Sequence, residues 1–466
     1  QNFMKNFNLN KIQKIFFSGI GGIGISALAK WMVHLNKTVI GSDINQSEIT
    51  DTLQKKGIKI YFQQKPENIT KDIDLFIYSP AVPPNHPERQ KAKEYKIPQL
   101  SYPEFLGILS KNYYTIAISG THGKSTVTAL TGWILEKAQL DPTVVVGSKM
   151  KFWEDNLRLG KSKYLVAEAC EWKAHMLQIQ PKIIILNNLE LDHPDYYKNV
   201  SQEIQTFQKF ANKLKTQDLL ILNGDDKNLA KIKPKSRILT FGIKNKRTDL
   251  IAKNIRVNSK KHLQTFEIYY QKKSLGQFEI KLPGIINVYN CLGPILVALN
   301  LNIDVKTIKL ALKSFPGLWR RLEKICYYKK ALIFADYGHH PTAVRQTLKA
   351  IKDFYPKNRI VLIFQPHEHT RTKVLFSDYT KSFDQADVLI LNEIYTVPGR
   401  ENQKQINSVS SKDLAQAIQR RNKKIKIIYT QNLDQTKQAL DSLIKPKDIV
   451  IIMGAGDIYK IIAKLK

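Results

Sequence analysis

Gly120-Thr121-His122-Gly123-Lys124-Ser125 stands between two readable elements. Before it, Tyr114-Thr115-Ile116-Ala117-Ile118 is an apolar run that predicts a buried strand. After it, Thr126 to Lys137 predicts a helix with Leu130, Trp133, Ile134 and Leu135 on its apolar side. A strand, a glycine turn and a helix start gather several backbone N–H groups around one small volume. The partial positive end of the helix points into the same volume. Lys124 adds a full charge, and the Ser125 hydroxyl suits Mg²⁺. Such a loop cradles a nucleoside triphosphate, so the chain is expected to consume ATP. The longer, commoner form of this loop carries glycine where Ile118 stands; this is a shortened version.

Working outward, the same strand–turn–helix pattern recurs on both sides. In residues 1–109, strands are expected at Ile15–Phe17, Thr38–Ile40 and Asp74–Tyr78, with a helix over Ile23–His34. In 110–317, strands are expected at Tyr164–Ala167, Ile183–Leu186 and Leu219–Leu222. An antiparallel patch over Leu250–Leu282 and a helix over Val288–Leu299 follow. In 318–466, strands are expected at Leu332–Phe334, Ile360–Phe364, Val388–Leu391 and Ile449–Ile452, with a closing helix after Gly454-Ala455-Gly456-Asp457. Alternating strands and helices imply parallel sheets. The expected fold is therefore α/β in three domains. Rossmann-like first and third domains flank a central P-loop-type ATPase domain that carries the antiparallel patch.

Chemistry-bearing residues cluster where these strands end. Glu168 closes one strand, Asp192-His193 lies just beyond another, and Asp336-Tyr337-Gly338-His339-His340-Pro341 follows a third. Gln365-Pro366-His367-Glu368-His369-Thr370-Arg371 follows a fourth. The C-terminal ends of parallel strands share one edge, where ligands bind. Ser125, Glu168 and His193 are thus expected to meet around one or two Mg²⁺ ions. His193 is the weaker donor, since Mg²⁺ prefers oxygen. Arg321, near a domain junction, could hold a transferring phosphoryl group. Gly19-Ile20-Gly21-Gly22-Ile23-Gly24 follows a strand and precedes a helix, and Asp43 ends the next strand. Alone, that spacing reads as a dinucleotide turn and an NAD-dependent dehydrogenase, although any diphosphate fits it.

Composition limits the remaining classes. With 466 residues and 43% hydrophobic content the chain can bury several cores. No apolar run approaches the roughly 20 residues of a membrane span, and the polar stretch Gln1–Asn8 shows no signal-peptide core. The three cysteines, Cys170, Cys291 and Cys326, match no zinc spacing and fit a reducing cytoplasm. The net charge of +33 admits a polyanion-binding protein. Its lysines are spread evenly, however, and specific nucleic-acid binding is not expected.

In this order the motifs resemble the Mur ligase family over nearly the whole chain. The carriers are Gly19–Gly24, Gly120–Ser125, Asn188-Leu189-Glu190-Leu191-Asp192-His193, Gly284–Asn290, Asp336–Pro341 and Gly454–Asp457. The resemblance implies an ATP- and Mg²⁺-dependent ligase joining a small amino acid, L-alanine by expectation, to UDP-N-acetylmuramate. It implies a cytoplasmic monomer or dimer. A recycling ligase that adds a whole tripeptide to the same nucleotide sugar is the neighbouring alternative.

By that resemblance Gly19, Gly21, Gly22, Gly24, Asp43 and Ser79 hold the UDP-sugar. Gly120, Thr121, His122, Gly123, Lys124, Ser125, Thr126, Asn287, Arg321 and Asp336 hold ATP. Tyr337, His339 and Arg371 hold the amino acid, and Ser125, Glu168 and His193 the metal. Lys124, Arg321 and His339 carry the catalysis. Ser125 replaces the more usual threonine, and Ala169-Cys170-Glu171-Trp172-Lys173 replaces a more acidic run. Glu368 stands where alanine-adding members carry an arginine.

Overall fold

Apolar runs without polar alternation become the central strands. Ile183–Leu186 and Ile360–Phe364 are buried at every position, as strands covered on both faces must be. The fold is taken from a computed structural model, which describes residues 7–150, 152–153, 155–193, 196–397 and 401–465. Most of the polar N-terminal stretch, and Lys466, lie outside the described residues.

The first sheet has strands β1 Lys14–Ser18, β2 Thr38–Ser42, β3 Lys59–Tyr61, β4 Leu75–Tyr78 and β5 Gln99–Ser101. All pair in parallel, in the order β3-β2-β1-β4-β5. Strand addition reverses direction between β1 and β4. The Gly19–Gly24 turn leaves β1 there and leads into the helix Ile23–His34, whose bounds agree with the sequence reading.

The second sheet begins with β6 Tyr114–Ser119, β7 Thr143–Met150, β8 Asp155–Arg158, β9 Tyr164–Glu168 and β10 Ile183–Leu186. It continues with β11 Leu219–Asn223, β12 Arg237–Gly242, β13 Leu250–Asn258, β14 Leu263–Tyr270 and β15 Lys273–Ile280. Their order is β15-β14-β13-β12-β11-β10-β6-β9-β7-β8. The expected antiparallel patch is β13–β15, joined to the parallel strands through β12. β6 lies between β9 and β10, with Ile118 opposite Glu168 and Ser119 opposite Leu186. That register sets Glu168 and the segment after Leu186 on either side of the phosphate loop.

The third sheet comprises β16 Glu323–Tyr328, β17 Ala331–Asp336, β18 Ile360–Phe364, β19 Val388–Asn392, β20 Lys426–Thr430 and β21 Ile449–Met453. It runs β16-β17-β21-β18-β19-β20, with only β16 antiparallel. The closing element is a 3₁₀ helix, Ile458–Lys464, rather than the expected α-helix. Its buried residues Ile458 and Ile461 are three apart, the spacing that a three-residue turn places on one side.

One apolar core runs unbroken from the first domain into the second, joining Ile15, Phe17 and Leu28 to Val145, Leu165 and Leu186. The third domain keeps its own cores, one on each face of its sheet. Among the described residues no helix is long and apolar enough to cross a membrane.

Candidate active site

The phosphate loop folds as its glycines require. Gly120 has φ +140° and Gly123 φ +81°, backbone that only glycine adopts without strain. Gly123 caps the helix Lys124–Lys137, whose first turn faces a cavity of about 440 Å³. All three domains wall that cavity. Ile23, Gly24 and Tyr102 come from the first, Thr121–Thr126, Glu168, Glu171, His193 and Asn287 from the second, and Arg321, Asp336, Tyr337 and His339 from the third.

Lys124 folds back on its own loop. Its Nζ donates to Gly120 O (2.6 Å) and Thr121 O (3.2 Å) and pairs with Glu171 Oε1 at 2.9 Å. Burial works to discharge Lys124, but Glu171 outweighs it and holds the ammonium above its usual range. Glu171 is 1% exposed. Burial would raise its pKa, yet Lys124 and then His193 keep it below the usual carboxylate range. His193 Nε2 lies 3.4 Å from Glu171 Oε1.

The third domain reaches into this site at two points. Arg321 Nη2 donates to Ser125 Oγ at 3.3 Å. Arg371 Nη2 lies 3.2 Å from Asp192 Oδ1 and 3.4 Å from His193 Nδ1. Arg371 holds the buried Asp192 carboxyl far below its usual range against the opposing effect of burial. Glu368 lies 3.5 Å from Arg371 Nη1. Its backbone sits at φ +64°, ψ +131°, a strained conformation for a side-chain-bearing residue. His339 Nδ1 is 3.3 Å from Tyr337 O, so that nitrogen carries the proton and Nε2 keeps its lone pair. Burial, reinforced by Arg371, puts its pKa far below the ordinary histidine value, leaving a neutral imidazole.

The donors fit Mg²⁺. The Ser125 hydroxyl and the Glu168 carboxylate share the cavity wall, and both are hard oxygens. Among the described residues, the buried Glu171 Oε2 has no hydrogen-bond partner. His193 is on the same wall, but its two ring nitrogens already face Arg371 and Glu171.

Comparison with known proteins finds matches along nearly the whole chain. Residues 14–114 match the Mur ligase family catalytic domain, 118–298 the Mur ligase middle domain and 320–456 the Mur ligase glutamate ligase domain. The chain belongs to the Mur ligase family. It is 39% identical over 459 residues to UDP-N-acetylmuramate–L-alanine ligase of Clostridium kluyveri, covering 98% of each chain. It is 40% identical over 455 residues to the same-named enzyme of Clostridium tetani, covering 97% of each. The solved UDP-N-acetylmuramate-alanine ligase of Thermotoga maritima superposes with TM-score 0.83 at 26% identity, over 97% of this chain and 98% of that one. A murein peptide ligase of Psychrobacter arcticus shares the fold at TM-score 0.73 and 23% identity, over 97% and 98%. Mur ligases depend on ATP, in keeping with the phosphate loop.

Against this family frame, most expected residues meet in one cavity. Thr121, His122, Gly123, Lys124, Ser125, Thr126, Glu168, His193, Asn287, Arg321, Asp336, Tyr337 and His339 all line it. Asp336 also accepts from Leu322 N and Gly338 N, so it shapes the third-domain turn. Gly120 lies behind the loop, against Asn188. Arg371 stands behind His193 rather than in the wall. Of the nucleotide-sugar group only Gly24 reaches the wall. Gly19, Gly21 and Gly22 build the adjoining turn, and Ser79, just past β4, packs against Gly19. Asp43 accepts from Gly21 N at 2.8 Å, so its carboxylate organises the turn itself instead of standing free for an NAD ribose. Glu171 and Tyr102 are cavity residues that sequence reasoning passed over. Glu171, three residues past Glu168 at the same strand end, carried a signal; Tyr102 carried none.

Proposed function

We propose that the chain is an ATP-dependent ligase joining L-alanine to the carboxylate of UDP-N-acetylmuramate, for peptidoglycan precursor synthesis in the cytoplasm. One observation carries the reading: Lys124, Ser125 and Glu168 share a cavity wall with third-domain Arg321 and His339. The full-length relatives named for this reaction support it. The domains divide at about residues 109 and 317, for nucleotide sugar, ATP and amino acid in turn.

The sugar carboxylate attacks the γ-phosphorus of ATP, giving an acyl phosphate and ADP. The amine of alanine then attacks the acyl carbon, phosphate leaves, and the amine loses a proton. Lys124 exchanges Glu171 for the phosphoryl oxygens, and Arg321 approaches from the opposite side to balance the charge gathering there. Ser125 and Glu168 would hold Mg²⁺, which supplies charge neutralisation of the triphosphate, with His193 next to them. His339 Nε2 is free to take the amine's proton, although burial makes it a weak base. Holding amine and acyl phosphate together, away from water, contributes more. Tyr337, in the cavity wall, faces the amino acid, and Arg371 supports the site from behind His193 and Asp192.

The test is phosphate release from ATP, Mg²⁺ and UDP-N-acetylmuramate across L-alanine, glycine, L-serine and a muramyl-type tripeptide. L-Alanine is expected to be the preferred acceptor; preference for the tripeptide would reassign the chain to recycling. Lys124→Ala is expected to lower turnover by roughly two to four decades. Near-normal turnover in that variant defeats the assignment.

A further inference from the structure

Glu190 touches the phosphate loop and the third domain at once, yet it is not part of the cavity wall. Its backbone is locked to the loop: Thr121 Oγ1 donates to Glu190 O (3.0 Å) and accepts from Glu190 N (2.8 Å). Two residues earlier, Asn188 accepts from His122 N (2.7 Å) and donates to His122 O (3.0 Å). Residues 188–190 therefore form the rigid backing of the loop.

The Glu190 side chain points the other way. Its Oε2 accepts from Thr342 Oγ1 at 2.9 Å, in the first turn of the third-domain helix Pro341–Phe354. His122 Nε2, from the loop, lies 3.5 Å from the same oxygen. His340, which caps that helix through Thr342 N, lies 3.9 Å away. The rings of His122 and His340 are 4.9 Å apart. Two imidazoles and a carboxylate from two domains thus meet at one point. His340 Nδ1 and Glu190 Oε2 both accept hydrogen bonds from Thr342, so this residue ties the group to the third domain.

We propose that Glu190 is a positioning residue that makes the shape of the phosphate loop depend on docking of the third domain. Two other contacts across this junction, Arg321 with Ser125 and Arg371 with Asp192, end on groups close to the reacting phosphates. Triphosphate and cation must rearrange them. The Glu190–Thr342 bond lies outside the cavity, so bound triphosphate does not displace it, and it is made only while the third domain is docked. It signals to Thr121 and His122 that the amino-acid domain is in place. The proposal rests on the ligase reading for its catalytic consequence and on geometry alone for its structural one.

Two measurements test it in the full-length protein. In the phosphate-release assay, Glu190→Met and Thr342→Val are each expected to lower kcat about tenfold, the effect of losing one hydrogen bond to a charged group. KM for ATP should stay within about twofold. Thr342→Ser, which keeps the hydroxyl, should retain wild-type kcat, and the double variant should be no worse than either single one. Hydrogen exchange of the 118–125 segment needs no substrate, and both single variants should accelerate it several-fold. Unchanged exchange in Glu190→Met overturns the proposal, as does full additivity in the double variant or a Thr342→Ser that behaves like Thr342→Val. Absence of turnover in the wild type would instead reject the ligase reading, and the exchange result would still decide the junction.

Discussion

Lys124 and Glu171 are a buried ion pair in a cavity shaped for an anion, and behind them stands a second buried carboxyl. Glu203 is fully buried, and its Oε2 accepts from Asp192 N at 3.3 Å. Burial, with the Glu171 charge adding to it, pushes its pKa up to about 8. The unfolded chain releases that proton near the ordinary value of 4.5. Between those values the folded protein holds more protons than the unfolded chain, so stability falls as pH rises from about 4.5 to 8 and levels off above. Glu203→Gln carries no charge and removes this term. Its melting temperature relative to wild type is expected to climb steadily between pH 5.5 and 8.5, by up to about 1.4 kcal/mol of stability per pH unit. A difference that does not vary with pH would show Glu203 to be ionised in the fold. Glu203 had no sequence signal, because a helix position does not say how deep its side chain will sit.

At the scale of elements, the glycine turns were legible and the edges were not. The strand–turn–helix around Gly120–Ser125 was readable because Gly123 must adopt φ +81°. A Cβ there would collide with Asn290 Oδ1 and lie 2.8 Å from Asn187 Nδ2. Gly123→Ala therefore combines backbone strain of about 1–2 kcal/mol with displacement of the hydrogen-bonded Asn187–Asn290 pair. It is expected to raise KM for ATP by roughly tenfold to a hundredfold. Gly57, at φ +84° with open space around it, is the control: Gly57→Ala carries the strain alone and should leave KM unchanged. Equal kinetics in the two variants would show that the loop tolerates a methyl group. Short or alternating strands such as β3, β5 and β16 escaped the sequence reading. Three-residue runs fall below any periodicity, and β16 lies at an edge with little of it buried.

At the scale of the whole molecule, the first two domains share a core and the third does not. Their junction also buries Lys30, which pairs with Asp155 Oδ2 at 2.7 Å, next to a bond from Asn156 Nδ2 to Ser26 Oγ at 3.2 Å. Burial lowers the Lys30 pKa, and Asp155 partly offsets that. Calorimetry is expected to show the first two domains melting as one unit and the third melting separately. Asp155→Ala leaves the buried Lys30 ammonium without a counter-charge, held by Asn156 Oδ1, at a cost of about 3–5 kcal/mol. It should lower the shared transition and leave the other in place. Three separate transitions, or an unmoved shared one, would contradict a common core.

The three-domain α/β order, the phosphate loop and the strand ends that carry hydroxyls, carboxylates and imidazoles were all legible in the order of residues alone. Periodicity, glycine turns and the common edge of parallel strands are local properties of a chain. Only the tertiary structure decided the pairings: Lys124 with Glu171, Arg321 with Ser125, Arg371 with Asp192 and Glu190 with Thr342. These partners lie far apart along the chain: Lys124 and Glu171 meet because their strands are neighbours in one sheet, and the other three pairs because the third domain settles against the second. No segment of sequence encodes that on its own.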